Sequence, residues 1–153
     1  MNLEKINSMM NKSKEIIGLE NQLHAVKQNG RSIQFIHNPS EEVMLHAVKQ
    51  NGLAIQYIHN PSEEMMLHAV KQNGRAIQYI HNPSEDVMIH AVKQDGFAIQ
   101  FIKNPSEEMM LHAVKQNKYA IQFFKQEWFK STPKKLTVDE IQKLLGYEVE
   151  IVA

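Results

Sequence analysis

The chain has 153 residues, with 17 Lys and Arg against 17 Asp and Glu, 42% hydrophobic residues, 22% charged residues and no cysteine. Zero net charge with this apolar content argues against a disordered acidic or basic tail, and the absence of cysteine excludes disulfides, thiolate zinc sites, iron–sulfur clusters and cysteine nucleophiles. No apolar run is long enough for a membrane-spanning helix and the first 20 residues lack the apolar stretch of a secretory signal, so a cytoplasmic protein without a membrane partner is expected.

Residues 1–23 read as an N-terminal helical cap that runs directly into His24. From there the chain repeats with a period of 22, the units beginning at His24, His46, His68, His90 and His112. The second and third units match at 18 of 22 positions, differing at Leu53/Arg75, Glu64/Asp86, Met65/Val87 and Leu67/Ile89. The fifth is partial, so the array spans residues 24–125. Such a period marks a stacked repeat architecture, in which a unit too small to bury its own apolar face relies on its neighbours.

Each unit carries its own punctuation. Asn38 is the expected N-cap, Pro39 fits the first helical position and Glu41 suits the positive end of the helix dipole. The spacing predicts a helix over residues 39–50, with Lys49 near its negative end and Asn51-Gly52 as the stop, Gly52 taking the left-handed conformation. The same pattern recurs at Asn60-Pro61 to Gly74, Asn82-Pro83 to Gly96, and Asn104-Pro105 to about Asn117; Lys118 replaces the last glycine and suggests a different helix end there. At about 100° per residue, Val43, Met44, Ala47 and Val48 form one buried face, Leu45 its flank, and Glu42, His46 and Lys49 the opposite side. The second segment of the unit, residues 53–59, is too short for periodicity to separate a helix from a strand. Two helices per unit is the favoured reading over a strand-plus-helix solenoid of the leucine-rich type, whose leucine spacing is missing.

Residues 126–153 read as a small α/β cap. Thr137, Val138, Asp139 and Glu140 form a capping-box pattern, Ile141, Leu144 and Leu145 an apolar stripe, Gly146 a stop, and residues 147–152 an alternating strand. The overall expectation is a mainly α, right-handed-type helical repeat solenoid of 22-residue two-helix units with this helix-plus-strand cap. The strand's edge makes a homo-oligomer possible.

The unit NPSEEVMLHAVKQNGLAIQYI, residues 38–58, resembles a poorly characterised bacterial and phage family of tandem helical repeats, and the resemblance covers residues 23–125. The ending LTVDEIQKLLGYEVEIV, residues 136–152, resembles a short terminal module of varied bacterial proteins. The resemblance implies a helical repeat surface and brings no catalytic residues with it. The histidines at 46, 68, 90 and 112 depart from it, because a small residue is expected there in relatives.

No catalytic constellation emerges. The carboxylate pairs Glu41/Glu42, Glu63/Glu64, Glu85/Asp86 and Glu107/Glu108 stand at every expected helix start, where capping and the dipole explain them better than hydrolysis of a glycoside. Five of the eight histidines open the units and His37, His59 and His81 follow the short segments; a helix-surface contact with the acid four residues earlier is simpler than a metal ladder. No phosphate loop, dinucleotide fingerprint, HExxH or GxSxG is present. Neither a metal nor a cofactor nor an enzymatic activity is expected.

Two features point to partners instead. The position after the glycine is the most variable, Arg31, Leu53, Arg75, Phe97 and Tyr119, and is rich in the residue types that dominate interface hot spots. With the invariant lysine row, of which Lys49, Lys71 and Lys93 are the central members, it forms the candidate partner-binding ladder. Residues 112–135 carry six lysines against one glutamate, interleaved with Tyr119, Phe123, Phe124, Trp128 and Phe129. Lys118, Lys125, Lys130, Lys134 and Lys135 are therefore the candidates for nucleic-acid contact. The leading expectation is a non-enzymatic scaffold that binds another protein through its ladder surface. The alternatives are a phage-encoded inhibitor docking on a host defence complex, and nucleic-acid binding through residues 112–135.

Overall fold

The computed structural model describes residues 3–124. It is mainly helical: five α-helices, α1 (Leu3–Gln28), α2 (Glu41–Gln50), α3 (Glu63–Gln72), α4 (Glu85–Gln94) and α5 (Glu107–Gln116), alternate with five 3-10 helices, η1 (Gly30–Phe35), η2 (Gly52–Tyr57), η3 (Gly74–Tyr79), η4 (Gly96–Phe101) and η5 (Lys118–Phe123). The short segment is thus helical and not a strand, among the described residues. The expected C-terminal cap, residues 126–153, lies outside them.

The N-cap of each unit's α-helix is serine, not asparagine. Ser40 is extended (φ −67°, ψ 161°), its Oγ accepts from the Val43 N–H at 3.3 Å, and α2 begins at Glu41 rather than at Pro39. Ser62, Ser84 and Ser106 repeat the arrangement. Asn38, Asn60 and Asn82 instead adopt positive φ, between 51° and 53°. Asparagine is the side-chain-bearing residue that best tolerates this region, and the following proline cannot continue a helix backwards. The asparagine therefore makes the corner, and the serine two residues later makes the cap.

The helix ends at Gln50 as expected, but Asn51 ends it and Gly52 is not left-handed. Asn51 is extended (φ −147°, ψ 109°) and is at once the C-cap of α2 and the N-cap of η2. Its N–H donates to the Ala47 carbonyl at 2.9 Å, and its Oδ1 accepts from the Leu53 N–H at 3.0 Å. Asp95 does the same in the fourth unit. None of Gly30, Gly52, Gly74 and Gly96 lies in the left-handed region. Because the Asn residue alone ends the helix, α5 stops at Gln116 in the usual way although Lys118 replaces the glycine, and the expected different ending does not occur.

Packing gives the glycine its reason. Successive α-helices contact one another, successive η-helices contact one another, and each of η1–η4 also contacts the next unit's α-helix. A Cβ on Gly52 would stand 2.7 Å from the Ala69 carbonyl oxygen of that next helix, and Gly30, Gly74 and Gly96 are equally closed in by Ala47, Ala91 and Ala113. The core runs along this seam: Val43, Ala47 and Val48 of α2 are fully buried, as are Ala54 and Ile55 of η2, and the pattern recurs in α3 with η3 and α4 with η4. In a 3-10 helix residues three apart eclipse, so Gly52 and Ile55 share one buried edge of η2, and Ile58, the extended residue that caps it, is buried beyond them. Each buried Val or Ile contributes roughly 1.5–3 kcal/mol over its exposed state. Met44 and Leu45 are half-buried, and so is His46, which the helical wheel assigns to the outer side. The first half of α1 extends beyond the stack and leaves Met9, Met10, Ile16 and Ile17 about half exposed.

Candidate functional site

The η-helices line up as one layer, and their outward side chains form two parallel rows. One is the post-glycine row: Arg31, Arg75 and Tyr119 are exposed and Leu53 and Phe97 half-buried. The other, which the sequence reading passed over, is the aromatic that ends each η-helix: Phe35, Tyr57, Tyr79, Phe101 and Phe123. Phe35 is 83% exposed, Tyr119 63%, Phe101 40% and Tyr79 39%. The missed signal was an aromatic in all five copies at a position that is exposed at Phe35, Tyr79 and Phe101 and half-buried at Tyr57 and Phe123.

The two rows interlock between units. The Arg31 Nη2 donates to the Tyr57 hydroxyl of the next unit at 3.4 Å. The Phe97 ring meets the Phe123 ring of the next unit edge-on, with centroids 5.5 Å apart and planes at 79°. The Arg75 guanidinium carbon lies 5.8 Å from the Phe97 ring centre while its Nε donates to Asp95 at 2.7 Å. Lys118 places its ammonium 5.1 Å from the Tyr119 ring. Each of these contacts fixes a long or bulky side chain before any partner arrives, which lowers the ordering cost of binding.

The backbone beneath the rows is held by two kinds of glutamine. Gln56, Gln78 and Gln100 fold back and donate to the carbonyls of Leu53, Arg75 and Phe97 at 2.9–3.1 Å, the carbonyls of the post-glycine row itself. Gln50, Gln72, Gln94 and Gln116 instead reach into the preceding unit. Gln50 accepts from the Gly30 N–H at 2.6 Å, Gln94 from Gly74 at 2.6 Å and Gln116 from Gly96 at 2.7 Å, and Gln72 accepts from Gly52. This second set was not singled out in the sequence, where nothing distinguishes it from a solvated helix end.

The lysine row belongs to the α layer. Lys49, Lys71 and Lys93 are exposed near their helix ends, and Lys49 pairs with Glu64 of the next unit at 3.5 Å. Of the candidate nucleic-acid residues, only Lys118 falls among the described residues; Lys125, Lys130, Lys134 and Lys135 lie outside them. The unit-opening histidines stay on the helix surface: His68 and His112 approach Glu64 and Glu108 at 3.6 and 3.4 Å, and His90 Nδ1 lies 2.9 Å from the Asp86 carbonyl. Among the described residues no cluster of three or more His, Asp or Glu has a geometry that would hold a metal ion, and no helix is long and apolar enough to cross a membrane.

A family model described as a domain of unknown function (DUF4116) matches the chain four times in overlapping register, over residues 20–61, 40–83, 62–105 and 84–130. No curated protein and no solved structure matches the chain.

Proposed function

The chain belongs to the DUF4116 family, and from that premise we propose that it is a non-enzymatic repeat scaffold whose η layer binds another protein. The observation that carries the reading is the double row of Arg and aromatic side chains on the η layer: Arg31, Phe35, Arg75, Tyr79, Phe101 and Tyr119 are exposed, and the half-buried Tyr57, Phe97 and Phe123 between them are held by contacts from unit to unit. Exposed aromatics in a continuous strip mark interaction surfaces, and Tyr and Arg are enriched among the residues that dominate binding energy. Stacked repeats supply such strips as extended surfaces. The lysine row, offset into the α layer and with Lys49 already paired with Glu64, plays a lesser part.

The test uses the full chain as bait in a nuclease-treated lysate, in four forms: unaltered, Phe35→Ser with Phe101→Ser, Lys71→Ala with Lys93→Ala, and Arg31→Ala with Tyr119→Ser. Circular dichroism and melting confirm that each is folded. A stoichiometric protein captured by the unaltered bait and by the lysine variant, but lost with the two η-layer variants, is the expected result. Capture that ignores the η-layer variants overturns the reading, and recovery of nucleic acid alone before nuclease treatment transfers the function to the basic end of the array.

A further inference from the structure

The neutral net charge conceals a segregation of charge between the two layers. The helices α2–α5 hold eight carboxylates against four lysines, and α1 three against four, so the α layer is acidic over α2–α5. The segments η1–η5 hold Arg31, Arg75 and Lys118 and no acidic residue; the one acid at their boundary, Asp95, is half-buried and already engaged by Arg75. Aromatic residues segregate in the same sense. Helices α1–α5 have none, whereas η1–η5 carry Phe35, Tyr57, Tyr79, Phe97, Phe101, Tyr119 and Phe123.

The cations also follow a rhythm. Arg31 and Arg75 hold the post-glycine position of η1 and η3, η2 and η4 present Leu53 and Phe97 there, and the cation of η5, Lys118, stands one position earlier, in place of the glycine. Packed helices stand about 8–10 Å apart, so the equivalent Arg31 and Arg75, two units apart, are spaced by roughly 16–20 Å, a span that an extended peptide covers in about five or six residues at ~3.3 Å each. Arg31 and Arg75 are oriented by Tyr57, Phe97 and Asp95, and Arg75 remains 52% exposed while bonded to Asp95. A guanidinium carries five N–H donors, so one internal bond does not exhaust it.

We propose that the η layer receives an acidic, extended segment of a protein partner, with Asp or Glu about five or six residues apart and apolar side chains between them. The inference rests on the protein-binding reading above and specifies its partner. The carboxylates meet Arg31, Arg75 and Lys118 in turn; the intervening apolar residues lie on Leu53, Phe97 and the aromatic row. The acidic α layer repels the same segment, which confines it to one side of the molecule and fixes its register.

A library of random 16-residue peptides displayed on phage, selected on the full chain at low salt, tests this. The expected outcome is enrichment of Asp and Glu at that spacing with apolar residues between. The best synthetic peptide should bind about tenfold more weakly to Arg31→Glu, Arg75→Glu and Phe101→Ser, and more weakly still at 0.5 M salt. Arg75→Gln, which avoids repulsion with Asp95, should lose affinity in the same direction, and melting curves confirm that every variant is folded. Neutral or basic peptides whose binding still depends on Phe101 would overturn the acidic segment but leave the η-layer reading standing. Peptides indifferent to both Phe101 and the arginines would overturn both. No enrichment above bare support overturns the acidic segment. So does a labelled oligo(dT) that binds more tightly than the selected peptide and displaces it, since the cations would then serve phosphates.

Discussion

The Gln72 side-chain amide joins two units with both of its ends: Oε1 accepts from the Gly52 N–H, and Nε2 donates to the Lys49 carbonyl at 3.1 Å. Gly52 opens η2 and Lys49 lies in the last turn of α2. One glutamine thus serves the unpaired carbonyl of one helix and the unpaired amide of the next. Gln94 and Gln116 repeat the link, with Nε2 reaching the Gln72 and Gln94 carbonyls at 3.5 and 3.4 Å.

Replacing Gln94 by alanine therefore leaves the buried Gly74 amide without its acceptor. An unsatisfied buried amide costs about 1–3 kcal/mol. Urea unfolding of Gln94→Ala should show a loss in that range, while Gln100→Ala, which breaks a bond at the exposed side of η4, should lose less than about 1 kcal/mol. Equal losses would show that the two glutamines are not distinguished as described.

The glycine position should give opposite signs at different places in the chain. Gly74→Ala drives a methyl group into the Ala91 carbonyl and the Gln94 amide, so it should destabilise by about 1–3 kcal/mol or more. Gly18→Ala lies mid-helix in α1 with no atom within 4 Å of the added carbon, and should stabilise by about 0.5–1 kcal/mol. Thermal melts of the two single variants read this directly.

Corner and cap can be separated by mutation. Ser62→Ala removes the acceptor for the Met65 N–H and should cost about 1 kcal/mol. Asn60→Gly, at φ 53°, should be close to neutral because glycine adopts that backbone freely. Asn60→Val should cost about 1–2 kcal/mol, since a β-branched residue is strained there. A large loss for Asn60→Gly with none for Ser62→Ala would return the cap to the asparagine.

Deleting residues 52–73 joins Asn51 to Gly74 and removes one 22-residue period without creating a new junction. In an array stabilised by nearest-neighbour interfaces the shortened chain should stay helical and cooperative, with a lower melting temperature. Its urea m-value should fall with the surface it no longer exposes on unfolding. Loss of helicity per residue, measured by circular dichroism, would contradict additive stacking.

Much of this was legible residue by residue. The 22-residue period, the apolar positions Val43, Ala47 and Val48, and the end of each helix at the Asn residue before the glycine all follow from composition and spacing. The cap was misassigned because Asn38 and Ser40 are both good N-cap residues two positions apart, and only the corner at Asn38 decides between them. The post-glycine row was legible from its variability, but its partner row of aromatics was not, because an aromatic that recurs in every copy reads equally well as core. The clamp glutamines looked like solvated polar residues, since their partners lie 20–23 residues away.

What the residues alone establish is therefore local: the 22-residue period, the helix in each unit and its end before the glycine, its apolar face, and the need for one unit to stack on the next. Whether residues 53–59 form a helix or a strand, why the unit needs glycine, and which side chains face water were decided only in the tertiary structure. The physical reason is that capping and turn preferences act within about four residues of chain, whereas the glycine, the clamp and the exposed rows are defined by the neighbouring unit. In an array of near-identical units every copy offers the same residues, so only the stacking geometry tells which of them meet.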